Sequence, residues 1–355
     1  IMSQQIIRTI VSKINHGKHY ALICDEYTDI SNKEQLSLCL RWVDEDLNIK
    51  EDFIGFYHLH DIKAETIFSA INDILLRLQL PLNNCRGQCY DGAANMMGCK
   101  TGVAKKIQSI QPNAFVTHCH GHSLSLGVKD MISKCKLVSD TLDTAKEIVT
   151  LIKYSPFREN LLGEIKDNIK GEESDSYGII MFCPTRWTIR STCCQRILDN
   201  YSALFQEWDI CLSMKLQSDV RCRIIGVQAQ MKNFDFFFGL HLAEKIFCHT
   251  DNLAKALQKT KVSATEGQHL AEVVKKTLQS KRNDEIFVNF YTEVLHQQKL
   301  QPDISVPTLP RRKNVPARYQ IGSGTSSFPS NPEDHYRSIY FEAFDLIIAA
   351  IDQRF

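Results

Sequence analysis

Tyr20-Ala21-Leu22-Ile23-Cys24-Asp25 and Cys89-Tyr90-Asp91-Gly92 are two stretches that each run from apolar residues straight into a carboxylate. Such a run reads as a buried strand whose far end delivers an oxygen ligand to a cleft, and two such ends can share a divalent metal. That is the outline of a phosphoryl-transfer site. The competing reading is that either Asp simply caps a turn, as Asp-Gly often does. The order of elements between the two stretches favours the first reading.

Gln35 to Val43 alternates Leu36, Leu38, Leu40 and Trp42 with Ser37, Cys39 and Arg41, a period-two pattern with one buried face. After the polar turn Asp44-Glu45-Asp46-Leu47-Asn48, a third strand centres on Phe53-Ile54-Gly55-Phe56-Tyr57. Ile67, Ile71, Ile74, Leu75 and Leu78 fall at helical spacing within Ala64 to Leu80, and Pro81 is expected to end that helix. A fourth strand reaches Asp91, a helix runs from about Thr101 to Gln111, and Phe115-Val116-Thr117-His118-Cys119 makes a fifth strand. The fold class expected is α/β: a five-stranded mixed sheet of the ribonuclease H type, with the first and fourth strands side by side so that Asp25 and Asp91 converge.

From His122 onward the spacing is helical, over His122 to Lys134, Cys135 to Tyr154, Ile189 to Leu216, Phe238 to Lys261 and Thr265 to Gln298. Ser155-Pro156 disfavours continuation of the second of these. The domain reading is a sheet core over 1–121, a large all-α insertion over 122–300, a linker over 301–332 and a C-terminal helix over 333–355. The linker carries six prolines, a Gly322-Ser323-Gly324 tract and the basic cluster Arg311-Arg312-Lys313 with Arg318, which reads either as a phosphate or import signal or as solvated chain.

Composition narrows the class. With 43% apolar residues, 355 residues suffice for two cores. Leu346 to Ile351 is far short of the ~20 apolar residues of a membrane span, so no membrane partner is expected. The 13 cysteines are an odd number without repeating C-x-x-C spacing, which points to reduced thiols. A net charge of +1 gives no general pull toward nucleic acid, so DNA contact would come from local patches. His118-Cys119-His120-Gly121-His122 admits three readings: structural zinc, a DNA-proximal element, or ordinary packing. On a strand the three histidines would share a face that Cys119 could not join.

Four stretches also carry a resemblance: Cys24-Asp25-Glu26-Tyr27-Thr28-Asp29-Ile30-Ser31, Gln88 to Met96, His118 to Leu124, and Thr185-Arg186-Trp187. In this order they resemble hAT-superfamily transposases and, more closely, the transposase-derived zinc finger MYM-type protein 1 group. The likeness covers most of residues 15–200 and fades beyond Trp187 into a general helical resemblance.

The resemblance implies that Asp25 and Asp91 match the first two acids of a DDE site, where Mg2+ or Mn2+ ions activate a water or a DNA 3' hydroxyl. It places Cys119 and His122 in a C-x-x-H motif near the DNA end. Trp187 would stack on a flipped base, and Arg186 would contact a phosphate. Glu26 and Asp29 are expected in turn and surface roles. The family's third acid, a glutamate on a returning helix, has no match before Phe355: Glu342 and Asp345 lie in a segment that resembles the region upstream of it. With no N-terminal zinc finger and a start at Ile1, a fragment is expected. The functional expectation is a nuclear, transposase-derived protein that binds nucleic acid or protein without catalysis, with self-association or protein partners in a longer chain. The alternative is a fragment of an active transposase that cuts and joins DNA.

Overall fold

The structure is a computed structural model that describes residues 2–170, 178–182, 188–259, 262–311 and 328–355. The chain divides into two compact units, Ile1–Leu124 with Leu257–Gly267, and Ser125–Ala256 with Gln268–Phe355.

The first unit is built on a five-stranded sheet in the order β3-β2-β1-β4-β5. Its strands are β1 (Tyr20–Thr28), β2 (Glu34–Val43), β3 (Ile49–Leu59), β4 (Cys85–Tyr90) and β5 (Phe115–His118). β1 pairs antiparallel with β2, and β2 with β3, while β1–β4 and β4–β5 are parallel. This is the mixed sheet expected from the sequence. Both tight turns are organised by an aspartate. Asp29 Oδ1 accepts from the N–H groups of Ser31 and Lys33, and Asp44 Oδ1 from those of Asp46 and Asn48. Asp29 is thus a turn residue, as the sequence suggested.

The alternation in β2 does what its period requires: Leu36, Leu38, Leu40 and Trp42 are all buried, on one face. Helices α1 (Met2–Gly17), α2 (Ala64–Arg77) and α4 (Val103–Ile110) contribute Ile14, Ile67, Ile71, Ile74, Leu75, Val103 and Ile107 to the same core as Leu22 and Cys24. Each such aliphatic side chain contributes about 2 kcal/mol on burial. The short α3 (Ala94–Met97) adds Met96.

Two boundaries differ from the sequence reading. Helix α2 stops at Arg77, ahead of Pro81, because Gln79 takes a left-handed φ of 56° and Leu80 N–H closes back on the Leu75 carbonyl at 3.0 Å. The strand expected through Cys119 ends at His118, and α5 (His120–Lys134) begins almost at once.

The second unit is helical: α6 (Lys136–Lys153), α7 (Pro156–Lys170), α8 (Arg190–Asp199), α9 (Tyr201–Ser213), α10 (Ser218–Met231), α11 (Phe234–Leu257), α12 (Ala264–Lys281), α13 (Asp284–Lys299) and α14 (Pro332–Asp352). The helix expected over 189–216 is broken at Asn200, and the one over 265–298 at Asn283, whose side chain accepts from Ile286 N–H and caps α13. Pro156 ends α6 and also opens α7, since its missing N–H is an orphan at the first helical position anyway. Phe234, Phe238, Phe287, Tyr336 and Tyr340 form an aromatic core, with Phe238 and Tyr336 centroids 4.7 Å apart. Helix α6 approaches α11 closely at Gly239, where a Cβ would lie 2.0 Å from Thr141 Oγ1.

Two domain expectations need correction. Residues 257–267, read as part of the helical block, group with the sheet, where Arg41 Nη2 donates to the Val262 carbonyl at 3.1 Å. The linker expected over 301–332 starts as packed chain: Ile304 is buried, and Ser305 N–H donates to the Lys232 carbonyl at 2.8 Å. Residues 312–327, with most of the basic cluster, lie outside the described residues. Among the described residues no helix is long and apolar enough to cross a membrane.

Candidate functional site

The parallel pairing of β1 with β4 sets Ile23 level with Cys89, so Asp25 and Asp91, each two residues further on, lie at the same end of neighbouring strands. The structure brings them within each other's field. Burial raises the Asp25 carboxyl above its ordinary value, the charge of Asp91 raises it further, and His122 partly offsets both. Two carboxylates that repel in this way form an oxygen donor pair that a cation relieves.

Asp91 is held by its own turn. Its Oδ1 accepts from Ala93 N–H at 2.9 Å, and Gly92 takes a φ of 92°. Glycine is required there twice over, because a Cβ on Gly92 would lie 2.4 Å from His118 Nε2. That nitrogen bonds the Asp91 carbonyl at 2.8 Å, and His118 Nδ1 bonds Ser123 Oγ at 2.9 Å. A carbonyl only accepts, so Nε2 carries the proton and Nδ1 accepts from Ser123. Both ring nitrogens are therefore engaged within the protein. His118 is a strut for Asp91, which removes it from the zinc reading.

Cys119 N–H donates to the Tyr90 carbonyl at 2.9 Å and prolongs the parallel ladder by one step. Its thiol is pulled well below the ordinary value, first by the Cys89 thiol donating to it and then by the N–H groups of His122 and Gly121 in the first turn of α5. Cys89 is correspondingly raised. The C-x-x-H pair thus sits at a helix start beside the acids, with His122 close enough to act on Asp25. The strand gives way to a helix between His118 and His120, so the strand-parity face expected for His118, His120 and His122 is replaced by a turn that still brings the His118 and His122 rings to 5.9 Å.

Glu26 is the residue that sequence reasoning assigned wrongly. It is half-buried, and Asn95 Nδ2 donates to both its carboxylate oxygens at 2.9 and 3.1 Å and to the Ile62 carbonyl at 2.9 Å. Burial lifts its carboxyl to about 7; Asn95 opposes that rise, while Asp91, Asp25 and Glu34 add to it. The signal was present in the alternation, since Glu26 continues the Tyr20, Leu22, Cys24 series on the core face. Asp25 and Glu26 consequently leave β1 on opposite faces.

Arg186 and Trp187 lie outside the described residues. The helix that follows them, α8, is anchored by Asp251, whose Oδ2 accepts from Ser191 N–H at 2.7 Å and Ser191 Oγ at 2.8 Å. A cavity of about 760 Å³ in the first unit, lined by Tyr20, Arg41, Trp42 and Ile49 among others, contains none of the expected site residues.

Among the described residues no group of three or more His, Cys, Asp or Glu side chains is arranged to hold a metal ion. Asp25 and Asp91 are the hard oxygen donors at this end of the sheet that could hold a Mg2+ or Mn2+ ion. Mg2+ is commonly held by one or two carboxylates and completed by water and substrate phosphate.

Residues 1–102 match a family described as ZMYM1/FAM200, RNase-like domain. The chain is 23% identical over 295 residues to the mouse "52 kDa repressor of the inhibitor of the protein kinase", covering 79% of this chain and 38% of that protein. It is 22% identical over 258 residues to the human protein of the same description, covering 69% and 33% respectively. To the "Putative AC transposase" of Zea mays it is 21% identical over 175 residues, 47% of this chain and 21% of that protein. The chain therefore spans well under half the length of the curated relatives it matches. Sheet order, motif order and these matches agree: residues 1–102 carry the match to the ribonuclease-like domain, and the chain is similar to transposase and transposase-derived proteins.

Proposed function

We propose that this chain binds DNA through the Asp25–Asp91 end of the sheet and does not by itself cut it. The observation that supports this reading is the register of β1 and β4. It carries Asp25 and Asp91 to the same end of neighbouring strands, within each other's field, whereas Glu26, whose carboxyl also feels both of them, is half-buried and held by Asn95. In-line phosphoryl transfer depends on carboxylates that fix two ions, and a pair holds one ion firmly at best. A Mg2+ or Mn2+ ion at this pair would supply the positive charge that lets two acids meet a phosphate.

The chain's own residues do the rest. Gly92 and His118 fix the Asp91 backbone, and the α5 start presents Cys119 and His122 beside the acids. Arg186 and Trp187 belong to this reading as phosphate and base contacts. Nuclear residence and protein partners or self-association in a longer chain fit relatives named as a repressor and a transposase.

The test is a nicking assay on a labelled DNA end in Mg2+ and in Mn2+, comparing the chain with Asp91→Asn. Negligible cleavage by both is expected. Metal-dependent cleavage that disappears in the variant overturns the non-catalytic reading and restores an active transposase.

A further inference from the structure

Cys89 and Cys119 are neighbouring thiols that the acid pair does not use. The register of β4 with β5 sets Cys89 level with Thr117 and Tyr90 level with His118, and Cys119 N–H extends that ladder by donating to the Tyr90 carbonyl at 2.9 Å. Gln88 and Tyr90 are buried, so Cys89 between them points to the other face of the sheet, where it is half-buried, as is Cys119. The two side chains meet there, with the Cys89 thiol donating to the Cys119 sulfur. The N–H groups of His122 and Gly121, in the first turn of α5, are directed at the same sulfur.

We propose that Cys89 and Cys119 form a reversible dithiol site, which hydrogen peroxide closes to a disulfide. The site stands whether or not the chain binds DNA. Contact between the two sulfurs makes closure possible, and the donors around Cys119 set the order of attack by favouring its thiolate. The Cys119 sulfur takes one peroxide oxygen; the O–O bond breaks, the other oxygen leaves as hydroxide, and Cys119 becomes a sulfenic acid. The Cys89 sulfur then attacks the Cys119 sulfur, the S–S bond forms as the S–O bond breaks, and the departing hydroxide takes the Cys89 proton as water. Two thiols are oxidised to one disulfide, and one peroxide is reduced to two waters.

The placement of the other thiols on the sheet singles out this pair. Cys39 shares a row with Cys89, but β1 runs between them through Ile23, which puts Cys39 roughly 10 Å away at two strand spacings. Cys24 and Cys85 are buried in the core. The ladder between β4 and β5 stops at Cys119, so the backbone adjustment that a bond of about 2.05 Å requires falls where no further pairing of these strands opposes it. The bridge ties the strand that leads to Asp91 to the helix start that carries His122.

The experiment treats the full chain with hydrogen peroxide, alkylates the remaining thiols, and maps the digest by mass spectrometry without reduction. Two of the 13 thiols should be lost, as a cross-linked peptide pair containing Cys89 and Cys119 and lighter by two hydrogen atoms, and dithiothreitol should restore both. Cys89→Ser should leave Cys119 as a sulfenic acid that dimedone traps, whereas Cys39→Ser should cross-link like the wild type. Cys89 and Cys119 still open to alkylation at a peroxide dose that oxidises the exposed Cys99 and Cys222 overturn the proposal. A bridge from either residue to another cysteine or to a second chain also overturns it, as does oxidation that dithiothreitol does not reverse. The wild-type measurement decides between these outcomes even where a variant fails to fold.

Discussion

Gly92→Ala should loosen the candidate site more than any surface substitution. An L-residue at a φ of 92° costs about 1–2 kcal/mol. The added Cβ would also sit 2.4 Å from His118 Nε2, so the imidazole has to move and give up its bond to the Asp91 carbonyl. That bond is worth about 1 kcal/mol, and the His118–Ser123 bond shifts with it. The combined cost is about 2–4 kcal/mol, concentrated where β4 meets β5. A chain of two units need not unfold in one step, so a global midpoint is a poor readout. Hydrogen exchange by peptide resolves the two units: peptides spanning 85–123 should exchange roughly thirtyfold faster or more, at a tenfold change per 1.4 kcal/mol. Peptides from α11 and α14 should not change. Removing the obstructing ring with His118→Ala in the Gly92→Ala background should recover part of the loss, a non-additivity expected of side chains in contact. Wild-type exchange in Gly92→Ala would refute both the backbone conformation and the strut role of His118.

Glu207 is buried in the helical unit, and neither of its oxygens finds a hydrogen-bond partner among the described residues. Burial lifts its carboxyl to about 8, against a modest pull from Arg158. The folded state therefore holds the proton more tightly than the unfolded state, and stability falls as pH rises from the ordinary carboxyl value through about 8. Glu207→Gln should flatten the pH dependence of helical-unit stability, read by hydrogen exchange of α9 peptides, over that window, with a gain above it of roughly 5 kcal/mol at most; an unchanged pH profile would count against the buried acid. Asn95→Ala should raise the Glu26 titration further above about 7, since Asn95 now opposes the rise, and an unchanged titration by carboxyl NMR would show that the bond is not made. Asp251→Ala should cost about 2–3 kcal/mol by leaving Ser191 N–H and Oγ without their acceptor, measured as faster exchange in α8; no change there would remove Asp251 as its anchor.

The parts of the fold legible in the sequence were those with an uninterrupted period. The Leu36 to Trp42 alternation fixed a strand and its buried face, and the apolar runs ending at Asp25 and Asp91 marked β1 and β4. Helix ends were less legible because side-chain periodicity does not report backbone turns. Gln79 takes a left-handed φ that its residue type does not advertise, and Asn200 and Asn283 interrupt runs whose apolar spacing continues past them. Helix α1 was missed although Ile7, Ile10, Val11 and Ile14 carry a helical spacing. At the site, a strand expected to end at Asp25 put Glu26 in a turn or surface role, while β1 runs on to Thr28 and strand parity places Glu26 on the core face beside Asn95. In the histidine cluster the packing role of His118 was among the readings the sequence left open, but the strand period carried past His118 was wrong, because α5 begins at His120.

The most direct test of the central claim is DNA affinity with and without Mg2+, for the wild type and for the Asp25→Asn, Asp91→Asn double variant. Asparagine keeps the shape of each side chain and removes the charge that demands a cation. Mg2+ should strengthen binding by the wild-type chain, this dependence should vanish in the double variant, and the DNA should be recovered uncut in every case. Equal Mg2+ dependence in the two proteins would contradict that claim, by showing that the Asp25–Asp91 pair is not where the cation and the phosphate meet.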